Sequence, residues 1–136
     1  MKKLPILLSS ALCALIAASS TSAHHSFAAQ YDRDQTVEFT GVVTEVEWTN
    51  PHARFYVDGV DPDMESGEVV HWNIELVSAN VLMRQGWRHD SLKVGDTVTV
   101  SATRARKDPH VVNASSVVEA NGDRLFSRGP NASDNQ

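Results

Sequence analysis

Two adjacent histidines, His24 and His25, follow a run of small residues and are the first side chains suited to chemistry. If the mature chain begins at His24, its α-amino nitrogen and ring Nδ1 can chelate one metal ion together. Imidazole donors suit copper and zinc, and tetragonal nitrogen donors favour Cu(II). An α-amine titrates at about pH 8 and an imidazole at about 6.5, so both deprotonate at modest cost. This pattern predicts a copper or zinc site at the N-terminus.

Further metal donors must come from elsewhere in the chain. His25 is too close in sequence to share the chelate geometry of His24 easily. His52 stands in a turn where a strand begins, which makes it our first choice of partner. His71 is the second choice, because its neighbours two positions away in the strand are not all apolar.

Phe27 and Tyr31 are spaced as anchors that can hold the N-terminal segment against the domain. A held segment favours a metal site at His24. A free segment leaves the histidine pair as an ordinary solvated chain end, with His52 hydrogen-bonded within its own turn. The sequence leaves both alternatives open.

Two strand patterns place a second group of polar side chains on one surface. The segments at 53–58 and 69–76 alternate apolar and polar residues, so alternate side chains point away from the core. The outward set consists of Arg54, Tyr56, Asp58, His71, Asn73 and Glu75. A mixed polar patch with one aromatic predicts a surface for a small polar ligand or a protein partner. The alternative is an ordinary solvated strand face.

Motifs for catalysis are absent from the sequence. It contains neither the G-x-S-x-G elbow of serine hydrolases nor H-E-x-x-H, and it has no glycine-rich phosphate loop. An enzyme would need its histidines and carboxylates to converge through folding. We therefore expect a binding protein rather than an enzyme.

The first 23 residues have the three regions of a secretory signal peptide. Lys2 and Lys3 precede an apolar stretch over 4–18, and small residues end at Ala23. The apolar stretch is shorter than the roughly 20 residues that span a bilayer, so a retained anchor is the weaker alternative. We expect cleavage after Ala23, a periplasmic or secreted protein, and no stable membrane anchor after cleavage.

Cleavage removes 23 of 136 residues and leaves 113, which is enough for one domain. Cys13 leaves with the signal peptide, so the mature chain has no disulfide to stabilise it. Without Lys2 and Lys3 the net charge changes from −5 to −7. Phosphate backbones are bound through Lys and Arg, so this acidic charge predicts that nucleic acid is not a partner. The expected partner is a small ligand, a metal ion or a periplasmic protein.

Alternating patterns predict five strands, and a short helix separates the third from the fourth. The strands fall at 37–48, 53–58, 69–76, within 91–102, and at 111–119. In the first strand, the apolar residues change from odd-numbered to even-numbered positions around Gly41, which predicts a β-bulge there. Ser78 is suited to cap the start of the helix and Gly86 its end.

This order of elements predicts an all-β fold: a small OB-fold-like five-stranded barrel with one short helix between strands three and four. The domain spans 24–126, where Asn121-Gly122 forms a tight turn before a last short apolar segment. Residues 127–136 are predicted to be a loose polar tail. A β-sandwich is the alternative, although about seven strands would be expected there.

Four segments resemble an exported bacterial family, the domain of unknown function 6152. They are HHSFAAQYD, GVVTEVEWTNPHARFYVD, GWRHDSLKVGDTVTV and ANGDRLF. The resemblance covers about residues 24–126, and its most specific pieces are the histidine pair and WTNPH at 48–52. The resemblance implies export and a small β-barrel, and it does not imply any particular activity. Arg54 departs from the aromatic or aliphatic residue expected after the Asn-Pro-His turn.

Overall fold

The computed structural model describes residues 27–127. The predictions for the signal peptide, for His24 and His25, and for the polar tail beyond residue 127 lie outside the described residues. Within the described range, no helix is long and apolar enough to cross a membrane.

Six strands and two short helices make up the described domain. A single helical turn, α1 (Phe27–Gln30), leads directly into the first strand. The elements that follow are β1 (Tyr31–Glu47), β2 (Arg54–Val60), β3 (Val69–Glu75), α2 (Ala79–Arg84), β4 (Thr97–Ala105), β5 (Val111–Glu119) and β6 (Arg124–Ser127).

The strands form one sheet in the order β3-β2-β1-β4-β5-β6, and β3 also pairs with β5. That extra pairing is parallel and joins Asn73 to Val111 and Glu75 to Asn113. It closes β1 to β5 into a ring, while β6 extends β5 as a hairpin. The predicted OB-fold-like barrel is confirmed, including the short helix between β3 and β4.

The core fills the ring with the inward side chains of every strand. Phe39 of β1 stacks on Trp72 of β3, with ring centroids 3.9 Å apart. Phe55 of β2 and Ile74 of β3 lie opposite each other and are completely buried. Because strand side chains alternate between faces, each buried residue leaves its neighbours pointing outward. This alternation creates the polar outer face of β2 and β3.

The predicted bulge lies three residues later than expected. Gly41 is in regular register with Gly59 of β2 and Val98 of β4. The register with β2 shifts between Val43 and Glu45 instead, at Thr44. The prediction at Gly41 is wrong because Val43 is also buried and continues the inward parity past the glycine.

Local signals at the helix and the last hairpin are confirmed. Ser78 caps α2, with its side chain accepting a hydrogen bond from the backbone N–H of Val81. Gly86 follows the helix with a φ of 95°. The turn before β6 contains Gly122 at a φ of 89°, a conformation that glycine adopts without steric cost.

Candidate functional site

The outer face of β2 and β3 is organised as three cross-strand pairs. Arg54 lies opposite Glu75, Tyr56 opposite Asn73, and Asp58 opposite His71. The structure therefore brings all six side chains of the predicted polar patch onto one surface. We call this surface the β2–β3 face.

An aromatic pair dominates one half of the β2–β3 face. The rings of Tyr56 and His71 stack with centroids 5.4 Å apart and an interplanar angle of 9°. Asp58 fixes the imidazole, since its Oδ1 lies 2.7 Å from His71 Nδ1. The His71 side chain is 58% exposed, so part of the imidazole is accessible to a ligand.

Carboxylates of β1 complete this half of the face. Glu45 lies opposite Tyr56 and Glu47 opposite Arg54. Burial of the Tyr56 hydroxyl and the negative charges of Glu47 and Glu45 raise the pKa of that side chain, against the opposing charge of Arg54. Neither glutamate could be assigned to this face from the sequence alone, because only a bulge at Thr44 gives them this register.

The other half of the face is closed by a buried polar cluster around Glu75. This carboxylate, predicted as a ligand contact, is only 4% exposed. Arg54 pairs with its Oε2, and Asn113 Nδ2 donates to its Oε1 at 3.2 Å. Burial, followed by the charge and hydrogen bond of Glu75, raises the pKa of Tyr31. Glu75 is thus engaged in holding the fold and has little surface for a ligand.

Of the predicted metal-binding histidines, His52 and His71 lie within the described residues, and the structure does not bring these two together. His52 Nδ1 lies 3.3 Å from the carbonyl oxygen of Leu76, beyond the end of β3. His71 is five residues before Leu76, which corresponds to about 16 Å along a strand. Residues 27–127 contain no group of three or more His, Cys, Asp or Glu side chains placed to hold a metal ion.

The N-terminal turn is fastened to the barrel, as its aromatic residues suggested. Tyr31 is 2% exposed and its ring stacks on Phe27 at 5.0 Å. Arg106 adds a clamp that the sequence did not reveal: its Nε donates to Ala28 O at 2.9 Å and its NH1 to Asp32 at 3.0 Å. The chain entering the domain is therefore held beside the β3–β5 seam.

A buried ion network closes the barrel below the Asp58–His71 pair. Arg104 donates two hydrogen bonds to Asp61, at 2.7 and 3.0 Å, and one to Asp63 at 2.8 Å. Its guanidinium lies 5.2 Å from the Trp72 ring centroid, and His110 Nε2 is 3.2 Å from Asp61. The acidic loop that follows β2 is consequently tied down at its start.

The chain matches the model of a protein family. The model of the family of unknown function DUF6152 matches residues 12–112, about three quarters of the chain. The chain belongs to DUF6152. The suspected relationship is thereby confirmed, and the match includes the whole β2–β3 face. No curated protein sequence matches this DUF6152 chain.

Solved structures with a similar fold include two crystal structures of the mitochondrial single-stranded DNA-binding protein Rim1 from S. cerevisiae. One is 11% identical, with a TM-score of 0.46, and covers 63% of this chain and 93% of Rim1. The other is 13% identical, with a TM-score of 0.45, and covers 70% and 97%. At this level the similarity describes the fold and assigns no ligand to the DUF6152 chain.

The comparison corrects one expectation. The prediction from net charge that nucleic acid is not a partner is contradicted by one finding: the two structures with a similar fold are of a protein that binds single-stranded DNA. Total charge describes the whole surface, whereas binding depends on the local face that meets the ligand.

Proposed function

We propose that this DUF6152 protein is an exported binding protein whose ligand contacts the β2–β3 face. The observation that carries the proposal is the stacking of the half-buried Tyr56 ring on the exposed His71 ring, which Asp58 holds in place. Stacked rings with polar edges offer a flat apolar surface together with hydrogen-bonding groups. The same face of OB-folds commonly binds ligands. The basic, then apolar, then small-residue N-terminus supports export.

Rigidity distinguishes this face from an ordinary solvated strand surface. Tyr56 lies between the completely buried Phe55 and Val57, so its backbone cannot move without disturbing the core. The His71–Asp58 contact orients the second ring. A preorganised surface loses less conformational entropy when it binds, which favours a binding role.

A thermal-shift screen of the mature protein tests the proposal. The compounds are small amines, carboxylates, sugars and phosphates, applied to the wild type, to Tyr56→Ala and to Thr99→Ala. Thr99 is the control because it pairs with Thr40 on a different outer surface. At least one class should raise the Tm of the wild type and of Thr99→Ala but not that of Tyr56→Ala. Equal shifts in all three proteins, or none in the wild type, would refute binding at this face.

Copper or zinc binding at His24 with His52 is the second candidate. It is favoured by the Arg106 clamp on Ala28, four residues after His24, which limits the reach of the histidine to about 14 Å. It is also favoured by His52, whose Nδ1 faces Leu76 O at 3.3 Å and Glu75 at 3.8 Å. Metal-binding histidines commonly hold their second nitrogen this way, which leaves Nε2 for the ion.

One equivalent of Cu(II) or Zn(II) tests this candidate on protein whose intact mass begins at His24. A version with one added N-terminal glycine keeps every imidazole but separates the amine from the His24 ring. We expect this version and His52→Ala to bind about 10-fold or more weakly, by analogy with the effect of lost outer-shell partners. His89→Ala is the control. Equal affinity in all four proteins would mean adventitious binding by exposed histidines.

A further inference from the structure

Tyr56 of the stacked pair belongs to a row of residues that runs across the barrel. Glu45, Tyr56, Asn73 and Val111 are successive cross-strand neighbours on β1, β2, β3 and β5. We call this the cross-strand row. Adjacent strands are about 4.8 Å apart, so about 10 Å separate Tyr56 from Val111. A ligand lying perpendicular to the strands would follow the row.

The row ends in a groove between the N-terminal turn and the β4–β5 loop. The groove has a volume of about 400 Å³ and is lined by Ala29, Gln30, Ala105, Lys107, Asp108 and Val111. Pockets that hold small molecules have volumes of about 300–1,000 Å³. Its apolar lining consists of two alanines and a valine, and its two charged residues, Lys107 and Asp108, have opposite charges. This end favours an uncharged aliphatic group.

The Tyr56 end has the opposite character. Three carboxylates, those of Glu45, Glu47 and Asp58, lie at neighbouring positions on this face, together with the guanidinium of Arg54. Glu75 already neutralises Arg54 through their direct pairing. The remaining negative charge lies beside the stacked rings. An organic cation placed over such a ring gains both a cation–π interaction and carboxylate partners.

We propose that the ligand of the β2–β3 face is a linear organic cation, with an ammonium or guanidinium group at Tyr56 and an aliphatic chain in the groove. This inference rests on the proposed function and adds the ligand class to it. Charge complementarity selects the cationic end, and the apolar lining of the groove selects the chain. The separation of the two features along the cross-strand row sets the length.

Calorimetric titration with four small probes tests the proposal on the mature protein. Hexylammonium carries both features, hexanol and hexanoate carry the chain without the positive charge, and methylammonium carries the charge without the chain. Hexylammonium should bind most tightly. We expect its affinity to fall roughly 3- to 10-fold in Tyr56→Leu and in Glu47→Gln, the range of a lost cation–π or carboxylate contact. Glu38→Gln is the matched control, because it removes the same charge at another position, where Glu38 accepts a hydrogen bond from Ser101.

Each alternative result has a definite meaning. In one such result, hexanol or hexanoate binds as tightly as hexylammonium and also loses affinity in Tyr56→Leu. That result would overturn the proposal that the ligand is a cation, but the face would remain a binding site. Hexylammonium binding that is equal in all variants would overturn the site itself. No binding of any amine at millimolar concentration would overturn the ligand class. So would binding of a lysine-containing peptide without binding of the free amines, which would point to a protein partner.

Discussion

Gly41 illustrates how a single residue can be identified correctly and explained wrongly from sequence. A Cβ added there would lie 2.4 Å from the carbonyl oxygen of Asp58 and 2.5 Å from Val57 Cγ1. Real Cβ atoms do not approach backbone atoms this closely. The glycine is therefore required by the close approach of β1 and β2, and not by a bulge.

We expect Gly41→Ala to lower the free energy of unfolding by about 1–3 kcal/mol, the usual cost of inserting a methyl group into a packed site. Urea denaturation of the mature protein measures this change. Val42→Thr, at the exposed neighbouring position, should stay within about 0.5 kcal/mol of the wild type. Equal midpoints for Gly41→Ala and the wild type would mean that β1 and β2 are farther apart than described.

Thr44, at the bulge, carries a second residue-level feature. Its Oγ1 is buried and, within the described part of the chain, has no hydrogen-bond partner. A buried hydroxyl without a partner costs about 1–3 kcal/mol of desolvation. Valine has nearly the same shape and no hydroxyl.

Thr44→Val should therefore raise the free energy of unfolding by about 1 kcal/mol. The same denaturation experiment measures it, with Thr40→Val as the matched control. Thr40 is exposed and shares a hydrogen bond with Thr99 at 2.8 Å, so its replacement should not stabilise the protein. A destabilised Thr44→Val would show that the hydroxyl has a partner in solution.

At the scale of elements, the Arg104 network joins parts that are distant in sequence. It links β4 to the loop after β2 and to the carbonyl oxygen of Pro109 before β5. Both Arg104 and Asp61 are almost completely buried. A charge buried without its partner is strongly unfavourable, so the network acts as a unit.

Arg104→Met should destabilise the domain by about 3–5 kcal/mol, because it leaves the buried Asp61 carboxylate without its guanidinium partner. Thermal unfolding measures this loss. Arg124→Met, at an exposed position in β6, is the control and should have a small effect. A mild effect of Arg104→Met would mean that Asp61 can reach solvent.

The same network predicts that the stability of the protein depends on pH in the acidic range. Burial alone would raise the pKa of Asp61, but hydrogen bonds from Arg104 and the Asp63 backbone N–H, with the charge of Arg104, hold it below its usual value. A carboxyl with a lowered folded pKa stabilises the protein above the unfolded pKa of about 4, and this contribution is lost as the pH falls further. Urea midpoints between pH 7 and pH 3 should fall less steeply for Asp61→Asn than for Asp90→Asn. Parallel curves would exclude Asp61 as a source of acid sensitivity.

At the scale of the whole molecule, Arg106 and Tyr31 both join the N-terminal segment to the barrel. Arg106 donates from its side chain to Ala28 and from its backbone N–H to Gln30 O at 2.9 Å. These bonds lie outside the strand ring. The segment can therefore open without unfolding the barrel.

Arg106→Ala should speed amide hydrogen exchange at 27–32 while leaving exchange in the barrel strands nearly unchanged. Loss of one or two partly exposed hydrogen bonds costs about 1 kcal/mol each, which is enough to raise local opening several-fold. Arg88→Ala is the control, since its exposed side chain lies far along the chain from this segment. Uniformly faster exchange over the whole domain would show that the segment and the barrel unfold together.

The amino-acid sequence by itself determined the features that depend on neighbouring residues. Alternation in β2 and β3 identified the inward and outward side chains, Ser78 and Gly86 marked α2, and Asn121-Gly122 marked the last turn. These signals are local, because a strand has a period of two and a cap needs only the adjacent backbone. The order of strands around one helix then sufficed to predict the barrel.

Only the tertiary structure decided the features that depend on distant chain segments. The pairing of β3 with β5 brought Asn113 to Glu75 and buried the Glu75 carboxylate. The alternation of side chains along β3 had predicted that this carboxylate would be exposed. The register shift at Thr44 placed Glu45 beside Tyr56, and folding joined Arg106 to Ala28 across the chain. Such contacts join residues far apart in sequence, and a one-residue change of register moves a side chain to the other face of a sheet.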